Sequence, residues 1–346
     1  MQNQRYTARV VKPLQLEQAE MLVWERLSAT QAHLASPFLS VHYARAAAES
    51  GLDARVCVLY RDGSPCGFFP YQFEGRIAAW LKSAAPVGGG LSDYFGLVAD
   101  ANFRISTSEL LRLAQLNHLN FSHLDESQLQ YGLSGERPRT GLRIRFDAEA
   151  ADRTQLSSMS HKYLKDTERR ERQLSREIGP VHFEFDSQDQ RLEKLQHLIA
   201  HKRTQYQRTE VSDALAAPWK SALLHKLLDR NFATCRGVLS HMTAGDTWVG
   251  SHFGIMGNGV LQYWFPVYNP DLAKYAPGRL LLHSISKATH ANQVHMIDRG
   301  EGDTPSKREI TNEDHQFYRG AWYNQSVSTQ LARSLQSIQW RLGISQ

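Results

Sequence analysis

The segment from Tyr263 to Ile285, YWFPVYNPDLAKYAPGRLLLHSI, holds a short loop ending in Pro277-Gly278 between a strand-like and a helix-like run. A helix N-terminus exposes backbone N–H groups and the positive end of a dipole, which together attract anions. Gly278 lets backbone approach such a ligand closely, and Arg279 adds a charge. A Pro-Gly pair that merely starts a helix after a turn gives the same pattern, and by pattern alone that is the better-supported reading. Neither a G-x-x-x-x-G-K-[ST] loop nor a dinucleotide fingerprint is present, so neither ATP nor NAD is implied. His252, in GSHFGIM, falls on a β-type run and shares a face with Gly250 and Gly254, a bare surface. An imidazole there suits general-base work near neutral pH, although a lone strand histidine is more often structural. Asp93, in GGLSDYFG, fits turn chemistry, with its carboxylate bonding nearby amides, or a carboxylate placed in a cleft between domains.

Asp298, Asp303 and Lys307 cluster in IDRGEGDTPSKRE, at and beyond the end of a strand, where loops carry either function or ordinary solvated charge. Lys202, Gln205, Tyr206 and Arg208 form a polar and aromatic group near a helix end, fit for wetting that end or for holding a sugar or phosphate. A helix carrying Lys162, Lys165, Arg169, Arg170, Arg172 and Arg176 also carries Asp166, Glu168 and Glu171. Pairs at helical spacing, such as Asp166–Arg170, make a solvated face its leading explanation. Cys57, Cys66 and Cys235 are scattered without metal-ligand spacing, and their odd number argues against a disulfide framework. No metal is expected.

The elements that must position these residues divide into two halves, as 346 residues exceed one ordinary core. No apolar run approaches the roughly 18 residues needed to span a bilayer, and MQNQRYTARVV lacks a secretory pattern. A reducing, cytoplasmic setting is expected. The net charge of +5 and pI near 9.0 come without a recognised nucleic-acid motif, and they equally suit phosphate-bearing small ligands. In the first half, residues 6–11 predict a strand, 16–35 a helix, and 54–60 with 67–73 a hairpin about RDGSP. A helix over 106–116 and a strand over 142–146 follow, with a domain boundary near residue 150. In the second half, helices are predicted over 160–176, 190–206, 218–228 and 279–291. VHFEF precedes a three-strand meander over 234–243, 248–256 and 260–268, and VHMID closes the order. The expected class is mixed α/β with largely antiparallel sheets, since no room exists for helices within the meander.

Taken together, these segments resemble the cellulose-biosynthesis acetyltransferase group of GNAT acyltransferases, whose relatives include sugar N-acyltransferases with tandem GNAT halves. The resemblance covers most of the chain. Its carriers are SPFLSVHY, DGSPCGFFP and SDYFG in the first half, then SHKYLKDTERRERQLSREIG, KRTQYQRTEVSD, SHFGI, YAPGRLLL and IDRGEGDTPSK. It implies two tandem GNAT-like domains, residues 1–150 without a coenzyme A loop and 151–346 binding acyl-CoA. Tyr275, Ala276, Pro277, Gly278 and Arg279 would then form the pyrophosphate loop, and Asp93 and His252 would face an interdomain cleft. There the expected acceptor, an amino sugar linked to a nucleotide or lipid and destined for a surface polysaccharide, would meet Tyr94, Lys202, Gln205, Asp303 and Lys307. The family's closing motif carries a tyrosine-lysine pair; here Ser306 replaces the tyrosine and Lys307 remains. Direct transfer is the implied chemistry, with a backbone N–H of the 260–268 strand polarising the thioester carbonyl and His252 or Asp93 accepting a proton. The sequence also resembles, more remotely, the Fem-type transferases that use aminoacyl-tRNA, but lacks a segment for their helical-hairpin insertion. A non-catalytic partner of a polysaccharide synthesis complex is the remaining alternative.

Overall fold

The computed structural model describes residues 6–146 and 160–324. The boundary expected near residue 150 lies outside the described residues. The described residues form two compact units: one from residues 6–34, 38–139 and 317–324, the other from residues 35–37, 140–146 and 160–316.

The first unit builds on a strand series of β1 (Thr7–Val11), β2 (Asp53–Arg61), β3 (Ser64–Phe73), β4 (Ser83–Ala85), the short β5 (Val98–Ala99) and β6 (His118–Asp125). The hairpin of β2 and β3 turns at Asp62 (φ 52°) and Gly63 (φ 79°), two positive-φ residues as a tight two-residue loop requires. β4 runs parallel to β6, while the other neighbours are antiparallel. Helices α1 (Gln18–Thr30), α2 (Val41–Glu49), α3 (Arg76–Leu81) and α4 (Thr107–Leu113) accompany this sheet. α2, α3 and β6 lie in stretches where the sequence patterning predicts no element. Aromatic packing fills the core, with Phe69, Phe95, Phe121 and Trp322 in mutual contact.

The second unit has β7 (Glu136–Arg145) from Thr140 onward, β8 (Val181–Glu184), β9 (Asn231–Phe232), β10 (Cys235–Ala244), β11 (Thr247–Gly257), β12 (Val260–Tyr268) and β13 (Met296–Glu301). Its sheet order is β7-β13-β12-β11-β10-β8. The meander appears where the alternation put it, and the helices α5 (His161–Glu177), α6 (Arg191–Arg208) and α7 (Pro218–Leu228) follow the predicted spans closely. α8 (Pro277–Lys287) starts at the predicted Pro-Gly turn, and α9 (Pro305–Arg308) is a single turn. The last strand, β14 (Glu313–Tyr323), contributes its residues from Phe317 onward to the first unit, pairing with β6. α8 packs on β11 and β12 with α5 against it, α6 packs on β12 and β11, and α7 on β10. Leu261, Leu280, Leu281, Ile285 and Ile297 centre this core.

Among the described strands of the second unit, one pairing departs from the antiparallel rule. β12 and β13 run parallel, joined only at Val260↔Met296, Leu261↔Ile297 and Gln262↔Asp298. Beyond that point β12 stays with β11 and β13 with β7, so the sheet forks. No helix among the described residues is long and apolar enough to cross a membrane.

Candidate active site

Where the fork opens, β12 also bulges. Its register with β11 passes from Phe253↔Phe265 to Ile255↔Gln262, leaving Gly254 opposite both Tyr263 and Trp264. An added strand residue twists its segment and re-aims side chains, which suits the rim of a site. A cavity of ≈ 390 Å³ occupies this region. Tyr263, Pro266 and Tyr268 of β12 line one arm and Arg299 of β13 the other. Gly278, Arg279 and Leu282 of α8, Lys202 and Gln205 of α6, and Tyr163 of α5 close it, with Ser306, Glu309 and Ile310.

Lys202 is 9% exposed and donates from Nζ to Pro266 O at 2.9 Å and to Gln205 Oε1 at 3.3 Å. Burial pushes its ammonium down to about 8, because a charged group loses hydration there. The ammonium also sits 5.3 Å from the centre of the Tyr206 ring. Arg299 stands on the opposite arm, 5.9 Å from the Tyr263 ring centre, and burial likewise lowers its pKa. It has no carboxylate partner among the described residues; its contact is Nη1 to Lys307 O at 3.4 Å, and Nε makes none. A half-buried guanidinium without a counter-ion is costly unless something anionic visits it.

Arg279 is differently placed. Its guanidinium donates to Asp166 Oδ2 at 3.0 Å and Glu309 Oε2 at 2.7 Å, and lies 4.5 Å over the Tyr163 ring. Its charge is therefore matched within the protein. Of the expected anion loop, Gly278 and Arg279 line the cavity. Tyr275 is buried with its hydroxyl donating to Glu177 Oε2 at 2.7 Å, and Ala276 holds the left-handed turn (φ 54°, ψ 58°) ahead of Pro277.

His252 is fully buried in β11 and does not line the cavity. Its imidazole stacks on Tyr263, centroids 4.5 Å apart and planes 10° from parallel, with Nδ1 3.5 Å from Ser240 Oγ. Burial pushes it down to about 3, so the ring is neutral at physiological pH. The expected bare face is occupied: a Cβ on Gly254 would come within 2.3 Å of Gln262 O and 2.7 Å of the imidazole. Gly250 likewise gives way to the backbone of β12 and to Leu281 of α8. These glycines make room for packing.

Asp93 lies in the first unit, half-buried in the bend before the Phe95↔Leu124 bridge. Its neighbour Tyr94 is 5% exposed, packed against Phe38 and edge-on to Phe317. Lys307 and Asp303 are outside the cavity lining. Lys307 Nζ donates to Arg299 O and Glu301 O, both at 2.8 Å, and Asp303 holds Arg308 through both carboxylate oxygens. Ser306, between them, does line the cavity. Tyr263 and Arg299 were missed by sequence reasoning; an aromatic on a strand and an arginine after an Asp carry no distinctive spacing. Among the described residues, no three His, Cys, Asp or Glu side chains are placed to hold a metal ion.

Residues 161–308 match the family model described as an acetyltransferase (GNAT) domain. The chain is similar in structure to FemX, with a TM-score of 0.59 and 10% identity over 95% of this chain and 99% of that one. It is similar to L-PGS from Bacillus licheniformis at 0.53, with 12% identity over 86% and 91%. A tandem GNAT protein from the clavulanic acid biosynthesis pathway aligns at 0.49, with 12% identity over 92% and 98%. At these identities the likeness is one of fold. No curated protein matches the chain in sequence. Residues 161–308 thus carry the likeness to a GNAT acetyltransferase domain, and the enzyme class it supports is that of an N-acyltransferase.

Proposed function

We propose that the protein moves an acyl group from acyl-CoA to the amine of an amino sugar, nucleotide- or lipid-linked, for a surface polysaccharide. The observation that carries this reading is the fork of β12 and β13, with Lys202 and Arg299 on its two sides. Parting strands leave backbone N–H and C=O groups that need partners, and the amides of a pantetheine arm supply them. The acyl carbonyl then lies beside the β12 bulge. The acceptor nitrogen attacks the carbonyl carbon, the C–S bond breaks, and the thiolate leaves. Arg299 and a β12 N–H meet the charge that develops on oxygen. Neutral Lys202 takes the proton released by nitrogen, a role matched by its depressed pKa, and the thiolate is protonated in turn. His252 acts through Tyr263, as the slab on which that ring rests. The choice of an amino sugar follows the resemblance to cellulose-biosynthesis acetyltransferases. The test is thiol release from acetyl-CoA with a panel of nucleotide-linked amino sugars; a wild-type protein that binds no acetyl-CoA overturns the reading.

A second reading, an aminoacyl-tRNA donor as in the Fem-type transferases, is favoured by one observation. Arg279, the cation of the α8 N-terminal turn, is already paired with Asp166 and Glu309 and is not free for a pyrophosphate. Turnover with charged tRNA and none with acyl-CoA would select it.

A further inference from the structure

The chemistry above leaves a row of charges on α5 without a task. Lys162, Lys165 and Arg169 stand at i, i+3 and i+7, one stripe of that helix. With His161, Asp166, Arg279 and Glu309 they line an open groove of ≈ 720 Å³. Arg169 is held by Asp166 at 2.7 Å. Lys162 and Lys165 are exposed and have no ion-pair partner among the described residues. Four fixed cations thus face two carboxylates, and both carboxylates are engaged by arginines. The N-terminal turn of α5 borders it too: Ser160 Oγ accepts from Tyr163 N, and His161 and Lys162 of that turn line the groove near the positive end of the helix dipole. Arg279 and Glu309 line both this groove and the fork cavity, so one begins where the other ends.

We propose that this groove binds the phosphates of the donor's nucleotide end, with Lys162 and Lys165 as the charges that recognise them. The inference rests on the acyl-CoA reading and locates the part of the donor that Arg279 is not free to hold. A thioester in the fork has its nucleotide end outside the reaction cavity, and phosphates there need mobile cations at a wet surface. Two unpaired lysines supply them as flexible point charges.

The experiment compares wild type with Lys162→Glu/Lys165→Glu, using acetyl-CoA, its 3′-dephospho form and acetyl-pantetheine. Both positions are exposed, and circular dichroism checks the fold. The preference for acetyl-CoA over acetyl-pantetheine, as kcat/KM, should fall about ten- to a hundredfold in the double variant, the scale of one or two charge-assisted contacts. Acetyl-CoA affinity in calorimetry should fall by the same factor, less so for the dephospho form. A double variant that keeps the wild-type preference overturns the groove and leaves the acyl-CoA reading standing. A wild type that binds no acetyl-CoA overturns both. An acceptor-stem RNA minihelix that binds wild type and not the double variant, with acetyl-CoA affinity unmoved, overturns the groove as a coenzyme site in favour of RNA.

Discussion

The imidazole of His252 lies flat against the Tyr263 ring, 4.5 Å between centroids, inside the sheet and behind the cavity wall. Stacked rings at this spacing hold one another's orientation as well as burying apolar area. Replacing the histidine by phenylalanine keeps a ring in place but removes both nitrogens. His252→Phe should therefore retain activity within about tenfold, whereas a general base would cost roughly a hundred- to ten-thousandfold. His252→Ala, which removes the ring, should lower kcat more than His252→Phe does. Steady-state kinetics on the two variants decides between support and proton transfer.

Lys202 should leave its mark on the pH profile. With the ammonium depressed to about 8, kcat should rise with pH and level off above that value, and Lys202→Gln should flatten the rise. Stability carries the same signature. Between about 8 and the unfolded value near 10.5 the unfolded chain holds a proton that the folded chain lacks, so unfolding becomes harder as pH rises. Across that window wild type should gain about 2–3 kcal/mol relative to Lys202→Met. Denaturant melts at pH 7.5 and 10 would show it; no relative change would mean the amine is not desolvated.

Arg299 is expected to matter to the transition state more than to ground-state binding. Arg299→Gln should reduce kcat about a hundred- to a thousandfold, the effect of losing one oxyanion donor, with little change in donor KM. A large rise in KM at unchanged kcat would instead make Arg299 a binding group.

The grip of Lys307 on two carbonyls, Arg299 O and Glu301 O, fixes the end of β13. Lys307→Met leaves those carbonyls without their charged donor and should cost about 1–3 kcal/mol. A calorimetric Tm equal to wild type would show that water replaces the amine freely.

Much of the second unit was legible from sequence. The meander alternates cleanly, Pro218 and Pro277 start helices, and Gly179-Pro180 ends one, so local chemistry there agrees with the fold. β14 and β6 escaped notice because EDHQFYRGAWY and HLNFSHLD mix polar residues into both faces. The site was half visible. Lys202, Gln205, Gly278 and Arg279 stood out by type and spacing and share the cavity. What stayed hidden is relational: which cation has a counter-ion, and that Gly254 gives way to the His252 imidazole and to the backbone of β12. The counter-ions do not follow from spacing, because the carboxylates that hold Arg279 come from α5 and from the chain beyond α9.

The fork has a cost that reaches beyond catalysis. Strands that part present the same unpaired edges by which sheets recruit foreign strands. Pro266 sits on the exposed arm of β12, with its carbonyl taken by Lys202. A residue's N–H and C=O share one side of a strand, so the donor that proline lacks is one an invading strand would have used. The bulge at Tyr263 and Trp264 further spoils the register. The opening that admits a substrate is in this way closed to strand addition, and Pro266→Val, neutral for packing volume, should make the protein more prone to aggregate.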